Sequence, residues 1–443
     1  MTRGSVTKAL LRFTLPLILT GVLQQMYAIV DALIVGNYAG ELALAAVGCT
    51  TPLNNIFIFL TTGIVSGLTI QVAYYFGAGD RKAVGRLSIT FTSIIIMVAY
   101  GMAVLGILLS NQILRLLHTD ENLFVMAGQY IRIILMGVPF MVMYNLSSAV
   151  LRGIGDSRSP LYALLISSVV NIGLDLLFVC VFHWGVIGAA VATATAQALS
   201  ALFLLWQVKR RMADFGVAFT RENWDMEAFM IALKLSIPKT IQSSMMSVGS
   251  LLLQNVLNSF GVAMVTAITA AYKVDMLLFL PVLNGAIAMS IFTGQNLGAG
   301  DRKRAREGLW KGVIMMVCFA LLCSLSMYFF GDELIAFFGV SGEVVDLGYR
   351  FLYVCCWFYP IMGFYEALSG YLQGCKHVVF ASFTYIGALT LRVSSSYLLA
   401  GVIGTDIVAI AEIVGWFFGF FVCGTKCILM HRKQNREEAL QIQ

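Results

Sequence analysis

Eight ionisable residues stand where a lipid bilayer would make charge expensive: Asp31, Arg132, Asp175, Lys273, Asp275, Glu366, Arg392 and Glu412, each within a long apolar stretch. A charge at membrane depth costs about 2.5–3.5 kcal/mol on insertion scales, so each is a candidate for function. Asp31 follows Tyr27 by one helical turn, which places both on one helix face. It lies about 22 Å along the axis from Pro16. Asn171 and Asp175, four apart, also share a face. Two carboxylates brought together in a medium of low dielectric cannot both ionise cheaply. Either one keeps a proton or the pair holds a cation. Carboxylate, amide carbonyl and hydroxyl are the hard oxygen donors that an alkali cation needs once its water is removed. The competing reading is that these polar groups only hold helices together. For Asp31, Asn171 and Asp175 the clustering of oxygens favours ion chemistry; Thr193 and Tyr130, taken alone, read as bundle contacts. Lys273 and Asp275 are two apart and point differently on a helix, so a transport role and a structural pairing both stay open. Arg132 and Glu412 read as side chains snorkelling near helix ends.

The elements that must position these groups are transmembrane helices. Of 443 residues 59% are hydrophobic and 12% charged, with a mean hydropathy of +0.85, whereas a soluble domain carries about 25% charge. Neither Leu87–Leu114 nor Thr240–Tyr272 contains a charged residue, and about 20 apolar residues span a bilayer as a helix. The runs are uniformly apolar rather than alternating, which excludes a strand barrel. The sequence predicts twelve helices, at 10–36, 48–76, 87–109, 124–150, 160–182, 186–208, 228–258, 266–297, 309–330, 347–372, 378–401 and 406–430. Basic residues gather in alternate connections, among them Arg81, Lys82 and Arg86, then Lys209, Arg210 and Arg211, then Arg302, Lys303 and Arg304. The opposite connections are poor in cations, so both ends are expected in the cytoplasm. The net charge of +6 then marks topology and not a nucleic-acid partner. The polar stretch from His431 to Gln443 is expected to be disordered.

The chain also repeats itself. Gly77-Ala78-Gly79-Asp80-Arg81-Lys82 recurs letter for letter as Gly298-Ala299-Gly300-Asp301-Arg302-Lys303, close to half the chain further on. Pro16 keeps step with Pro238, and Leu151 and Gly153 with Leu372 and Gly374. At the offset that carries Gly77 to Gly298, Glu366 is the mate of Asn145, and Arg392 the mate of Asn171. An even helix count per copy makes the repeats parallel, so the expectation is two pseudo-symmetric six-helix lobes, residues 1–215 and 216–443. The glycine segments lack the preceding strand and the lysine of a phosphate loop; a glycine helix stop followed by a basic turn explains them. Pro16, Pro139, Pro238, Pro281 and Pro360 fall inside predicted helices and permit kinks. The nine cysteines show no CxxC pair, so neither a disulfide framework nor zinc is indicated. The four histidines (His118, His183, His377, His431) lie apart near helix ends, and no catalytic constellation is indicated.

Together these marks resemble the multidrug and toxic compound extrusion (MATE) family of the MOP flippase superfamily, over nearly the whole chain. The resemblance rests on the first helix from Pro16 to Asp31, on Val35-Gly36-Asn37-Tyr38-Ala39-Gly40 leading to Leu42-Ala43-Leu44-Ala45-Ala46-Val47-Gly48, and on the paired glycine turns. Leu151-Arg152-Gly153-Ile154-Gly155-Asp156-Ser157 and Lys273-Val274-Asp275 complete it. It implies an all-α polytopic membrane protein whose two lobes form a V around a central cavity. It further implies an antiporter exporting organic, often cationic, compounds in exchange for Na⁺ or H⁺. Carried over residue by residue, the family's amino-lobe cation site falls on Asp31, Asn171, Asp175 and Thr193, and nearby cavity groups on Tyr27, Tyr130 and Asn145. A further cavity asparagine of the family appears here as Ser148. The carboxy lobe offers Lys273, Asp275 and Glu366 as cavity candidates, but the mate of Asp31 is near Leu252 or Leu253 and no acid stands there. The expectation is a monomer in the cytoplasmic membrane with small organic substrates, no organic cofactor, and Na⁺ or H⁺ as coupling ion. The alternative is a lipid-linked precursor flippase, which needs gathered cations; Arg132, Lys273 and Arg392 are scattered.

Overall fold

A computed structural model describes residues 1–117 and 119–442; His118 and Gln443 lie outside the described residues. Fourteen α-helices follow one another, with no strand among the described residues. In the first half they are α1 (Val6–Ile34), α2 (Glu41–Gly77), α3 (Arg81–Leu108), the short α4 (Ser110–Leu116), α5 (Glu121–Gly153), α6 (Arg158–Asp175) and α7 (Gly185–Asp214). In the second half they are α8 (Met226–Ser259), α9 (Val262–Gly298), α10 (Arg302–Ala336), α11 (Glu343–Cys356), α12 (Tyr359–Gly374), α13 (Val378–Ile403) and α14 (Ile407–Ile442). Among the described residues nine helical stretches are long and apolar enough to cross a membrane, or ten with the bent pair α11–α12 counted as one span. One of the nine, Val378–Glu437, holds both α13 and α14, and α8 is 34 residues long. Split into its two helices, that stretch raises the total to eleven, and α8 is long enough to be the twelfth expected passage but is not among the stretches that are also apolar enough.

Both copies of the repeated glycine turn adopt one geometry. Gly79 and Gly300 have φ of 78° and 76°, a left-handed conformation that glycine reaches without a Cβ penalty. Asp80 then caps α3 by accepting from the Ala83 backbone N–H at 2.9 Å, and Asp301 caps α10 by accepting from Arg304 at 2.8 Å. The motif is a helix stop joined to a helix start, and aspartate is a favoured cap because its oxygen satisfies an orphan donor. The second repeat mark is a matched close approach. A Cβ on Gly153 would meet Val72 Cγ1 at 2.6 Å, and one on Gly374 would meet Thr293 Cβ at 2.6 Å. Val72 and Thr293 are themselves repeat mates, separated along the chain as Gly153 and Gly374 are. Helix α5 thus presses on α2 as α12 presses on α9.

The chain packs into two compact units, Leu15–Thr240 (the amino unit) and Met1–Thr14 with Ile241–Gln443 (the carboxy unit). Each long first helix of a repeat is therefore shared, changing units beside Pro16 in α1 and beside Pro238 in α8. In the amino unit the start of α8 is held by Phe229 against Phe91, with ring centroids 5.3 Å apart. Ser236 Oγ also donates to Ile64 O at 2.7 Å, and the Asp225 N–H to Thr90 Oγ1 at 2.8 Å. In the carboxy unit Val6 and Leu10 are buried in the core with Met289 and Met316. There Arg304 donates to the carbonyls of Met1, Arg3 and Gly4 at 3.1, 3.2 and 2.8 Å. The unit boundaries differ from the 215/216 boundary read from the sequence because 216–240 buries its apolar side chains on α2 and α3.

Three local readings change. Residues 347–372 form no single helix: α11 and α12 meet at 58°, and Pro360 stands at the start of α12, where its missing N–H costs nothing. The stretch from His431 onward is helical through Ile442 rather than disordered. Its Lys, Gln, Arg, Glu, Ala and Leu are good helix formers. Tyr371 Oη lies 3.0 Å from His431 Nε2, and Arg306 donates to Asn435 Oδ1 at 2.8 Å. Glu412 does not snorkel at a helix end but is paired with Arg392. Arg132 of α5 donates to the start of α4, to Ser110 Oγ at 3.0 Å and Asn111 Oδ1 at 2.9 Å.

Candidate functional site

Four helices of the amino unit bring the candidate ion-site residues together: α1 with Tyr27 and Asp31, α5 with Tyr130, α6 with Asn171 and Asp175, and α7 with Thr193. Asn171 and Asp175 are fully buried. The Asp31 and Asp175 carboxyls face each other within reach of a shared proton. Asn171 Nδ2 donates to Thr193 Oγ1 at 3.5 Å, and the Tyr27 hydroxyl lies within hydrogen-bonding reach of the same threonine. Tyr130 stands close enough to feel the charges of Asp31 and Asp175.

What is missing from this cluster matters as much. Asp31 Oδ1, Asn171 Oδ1 and both Asp175 oxygens are buried without a hydrogen-bond partner. Two ionised carboxylates are acceptors only, so they can face each other and still satisfy nothing. An unsatisfied buried acceptor costs about 1–3 kcal/mol, more when charged. A proton would turn one oxygen into a donor. A hard cation would serve several at once, with Thr193 Oγ1 as a further donor atom. The residues present fit either occupant. Among the described residues no group of three or more His, Cys, Asp and Glu could hold a metal ion.

The backbone around the acids is irregular where it serves them. Helix α6 ends at Asp175 and continues as a π-helical turn, Leu176–Val181; α1 continues past Asp31 into another, Val35–Ala39. The two π turns pack against each other, and Val35 and Val179 are each 1% exposed. Such turns recur at functional sites because the extra residue re-aims side chains. No feature of single residues in the sequence signals them.

The other candidates separate. Asn145 donates to Met141 O of its own helix at 2.9 Å. Lys273 is exposed, its ammonium 5.5 Å from the centre of the Phe338 ring. Asp275 lies within the electrostatic reach of Glu412 and Arg392 in the carboxy unit. Glu366 lies among Tyr365, Tyr385 and Cys423 in that same unit. The sequence flagged Arg392 and Glu412 singly and missed Tyr272, whose hydroxyl accepts from Arg392 Nη2 at 2.9 Å. The available signal was spacing, since Tyr272 and Asp275 are three apart and share a face of α9.

The MatE family model matches the chain twice, over residues 16–177 and 238–398. The chain belongs to the MATE family, whose members are membrane transporters and not enzymes. The first match begins at Pro16 and the second at Pro238, the same two prolines that mark the repeat. Among curated relatives, the probable multidrug resistance protein YpnP of Bacillus subtilis is 29% identical, over 84% of this chain and 83% of its own length. The FAD transporter of Shewanella oneidensis is 24% identical, over 83% of this chain and 82% of its own. A crystal structure of MATE in the bent conformation superposes with a TM-score of 0.91 at 22% identity, covering 99% of this chain and 98% of that one. At that identity the likeness concerns the fold.

Proposed function

We propose that this transporter is an ion-coupled exporter of organic compounds, with the Asp31–Asp175 pair of the amino unit as the site where the coupling ion binds. The observation that carries the reading is the set of buried, partnerless oxygens on Asp31, Asn171 and Asp175 beside Thr193. The names of the relatives support export of drug-like molecules. Coupling follows when ion and substrate favour opposite states of the protein, because only a ligand with unequal affinity for two states shifts them. Protonation of the pair, or Na⁺ on it, removes the electrostatic cost of two facing carboxylates. Release restores that cost, and a cationic substrate can relieve it in turn. Tyr27 and Tyr130 orient the acids and supply aromatic surface to an organic cation. The cation-rich connections support a multi-pass protein of the cytoplasmic membrane with both ends inside. We take the monomer as the working unit.

The lipid-linked precursor reading is weaker, since Arg392, one of its three scattered cations, is already paired with Glu412. The test uses purified protein in proteoliposomes, with ethidium and, separately, a flavin nucleotide as cargo. A pH gradient and a Na⁺ gradient are applied one at a time. One of the two gradients is expected to drive ethidium against its own gradient. Movement of cargo that neither gradient alters would overturn ion coupling. Transport of the flavin alone would overturn the cationic substrate class.

A further inference from the structure

The two repeats use matching helices for opposite charge. In the amino unit α6 presents Asn171 and Asp175 to Thr193 of α7. At the repeat offset, α13 presents Arg392 and Ser396 in their places, and the mate of Asp31 is Leu252 or Leu253. Helix α14, the mate of α7, brings Glu412 within one turn of the position matching Thr193. Both acids have gone, and a guanidinium stands where the amide was. That guanidinium is not loose. It pairs with Glu412, donates to Tyr272 Oη at 2.9 Å and lies 6.0 Å from the Tyr272 ring centroid. The two side chains are only 22% and 14% exposed.

We propose that Arg392 is a tethered cation: its guanidinium fills, in the carboxy unit, the place that an exchangeable cation takes in the amino unit, so that alkali ions bind in the amino unit alone. An ion entering beside Arg392 would meet a like charge where little water screens it. Of the negative groups that would otherwise invite it, Glu412 is already paired with the guanidinium, and Asp275 lies within its electrostatic reach. The neutral neighbours are Cys355 of α11 and Tyr385 of α13. A covalently held cation cannot be released, so the carboxy unit has nothing to exchange. The second half of the proposal rests on the ion site proposed for Asp31 and Asp175; the filling itself concerns the carboxy unit only.

The experiment is thermal unfolding of the full-length Arg392→Ala protein in detergent, with millimolar methylguanidinium, Na⁺ or no added cation. Vacating the site leaves Glu412 buried and unpaired, and a Tm loss of roughly 5–10 °C is expected. Methylguanidinium should restore at least half of it, while wild type and the Arg392→Ala, Glu412→Gln double variant show no such response. An undiminished Tm, or a loss that no cation restores, overturns the proposal. A second measurement does not need the alanine variant to fold: equilibrium binding of radioactive Na⁺ to the Asp31→Asn, Asp175→Asn protein. No specific Na⁺ binding supports the proposal, and a surviving site that Glu412→Gln abolishes overturns it. Neither readout involves export, so failure of the export reading would leave both unchanged.

Discussion

The amino and carboxy units share a framework and differ in their polar clusters. Each has the glycine turn capped by aspartate, Asp80 in one and Asp301 in the other. Each has a glycine that lets one helix press on another, Gly153 in one and Gly374 in the other. At the buried polar positions the likeness ends. Asp31 and Asp175 face each other in the amino unit with partnerless oxygens, while in the carboxy unit Arg392 pairs with Glu412 and donates to Tyr272 through Nη2, leaving its buried Nε without a partner. Packing constrains volume and backbone approach, and it constrains both copies alike. Charge inside a bilayer is expensive wherever it lies, so the two copies differ in how that cost is met and not in how they pack.

The comparison breaks most decisively at Asp31. Asp31→Asn removes one charge at nearly constant volume and should reduce gradient-driven efflux to the level of empty vesicles, with normal insertion. Efflux at the wild-type rate by inserted variant protein would erase the distinction between the units. On the other side, Glu412→Gln strands a partly buried guanidinium, a loss expected to stay below the roughly 3–5 kcal/mol of removing one partner of a fully buried pair. Calorimetry should show a lower Tm there and little or none of that loss for Asp31→Asn, since no cation is paired with Asp31 among the described residues. The shared framework predicts equal effects instead. Gly153→Ala and Gly374→Ala each force a Cβ against a neighbouring helix and should each cost about 1–3 kcal/mol; costs that differ widely would show that the repeat marks match in sequence alone. Smallest of all, Asp80→Ala and Asp301→Ala each delete a helix cap and should each lower stability by about 1 kcal/mol, read as matched small shifts in Tm.

The sequence disclosed what depends on period and composition. Apolar runs located the helices, and the recurrence of the glycine turn at mid-chain located the halves, because membrane insertion and duplicated packing leave their marks along the chain. Asp31, Asn171 and Asp175 were legible as a set because a bilayer leaves few reasons for such residues, and the structure does bring them together. The irregular features were not legible. The π turns after Asp31 and Asp175 come from backbone adjustments with no residue signature. The break at Pro360 looked like any tolerated kink until the 58° bend appeared. The partnership of Arg392 with Glu412 joins two helices whose relative rotation no spacing within either one specifies. The polarity of the tail points to disorder, but its residues are strong helix formers, and it is helical through Ile442.

The sharing of α1 between the units also sets an order in time. Val6 and Leu10 belong to a core completed by Met289 and Met316. At about 5–20 residues per second, the ribosome reaches those partners some 15–60 s after making the first turns of α1. Throughout that interval the opening of the helix is in the membrane without its native neighbours, while Asp31 farther along can already meet Asp175 once α6 is made. The amino unit can therefore bring Asp31 and Asp175 together before the carboxy unit exists, whereas the carboxy unit cannot close without the oldest residues of the nascent chain.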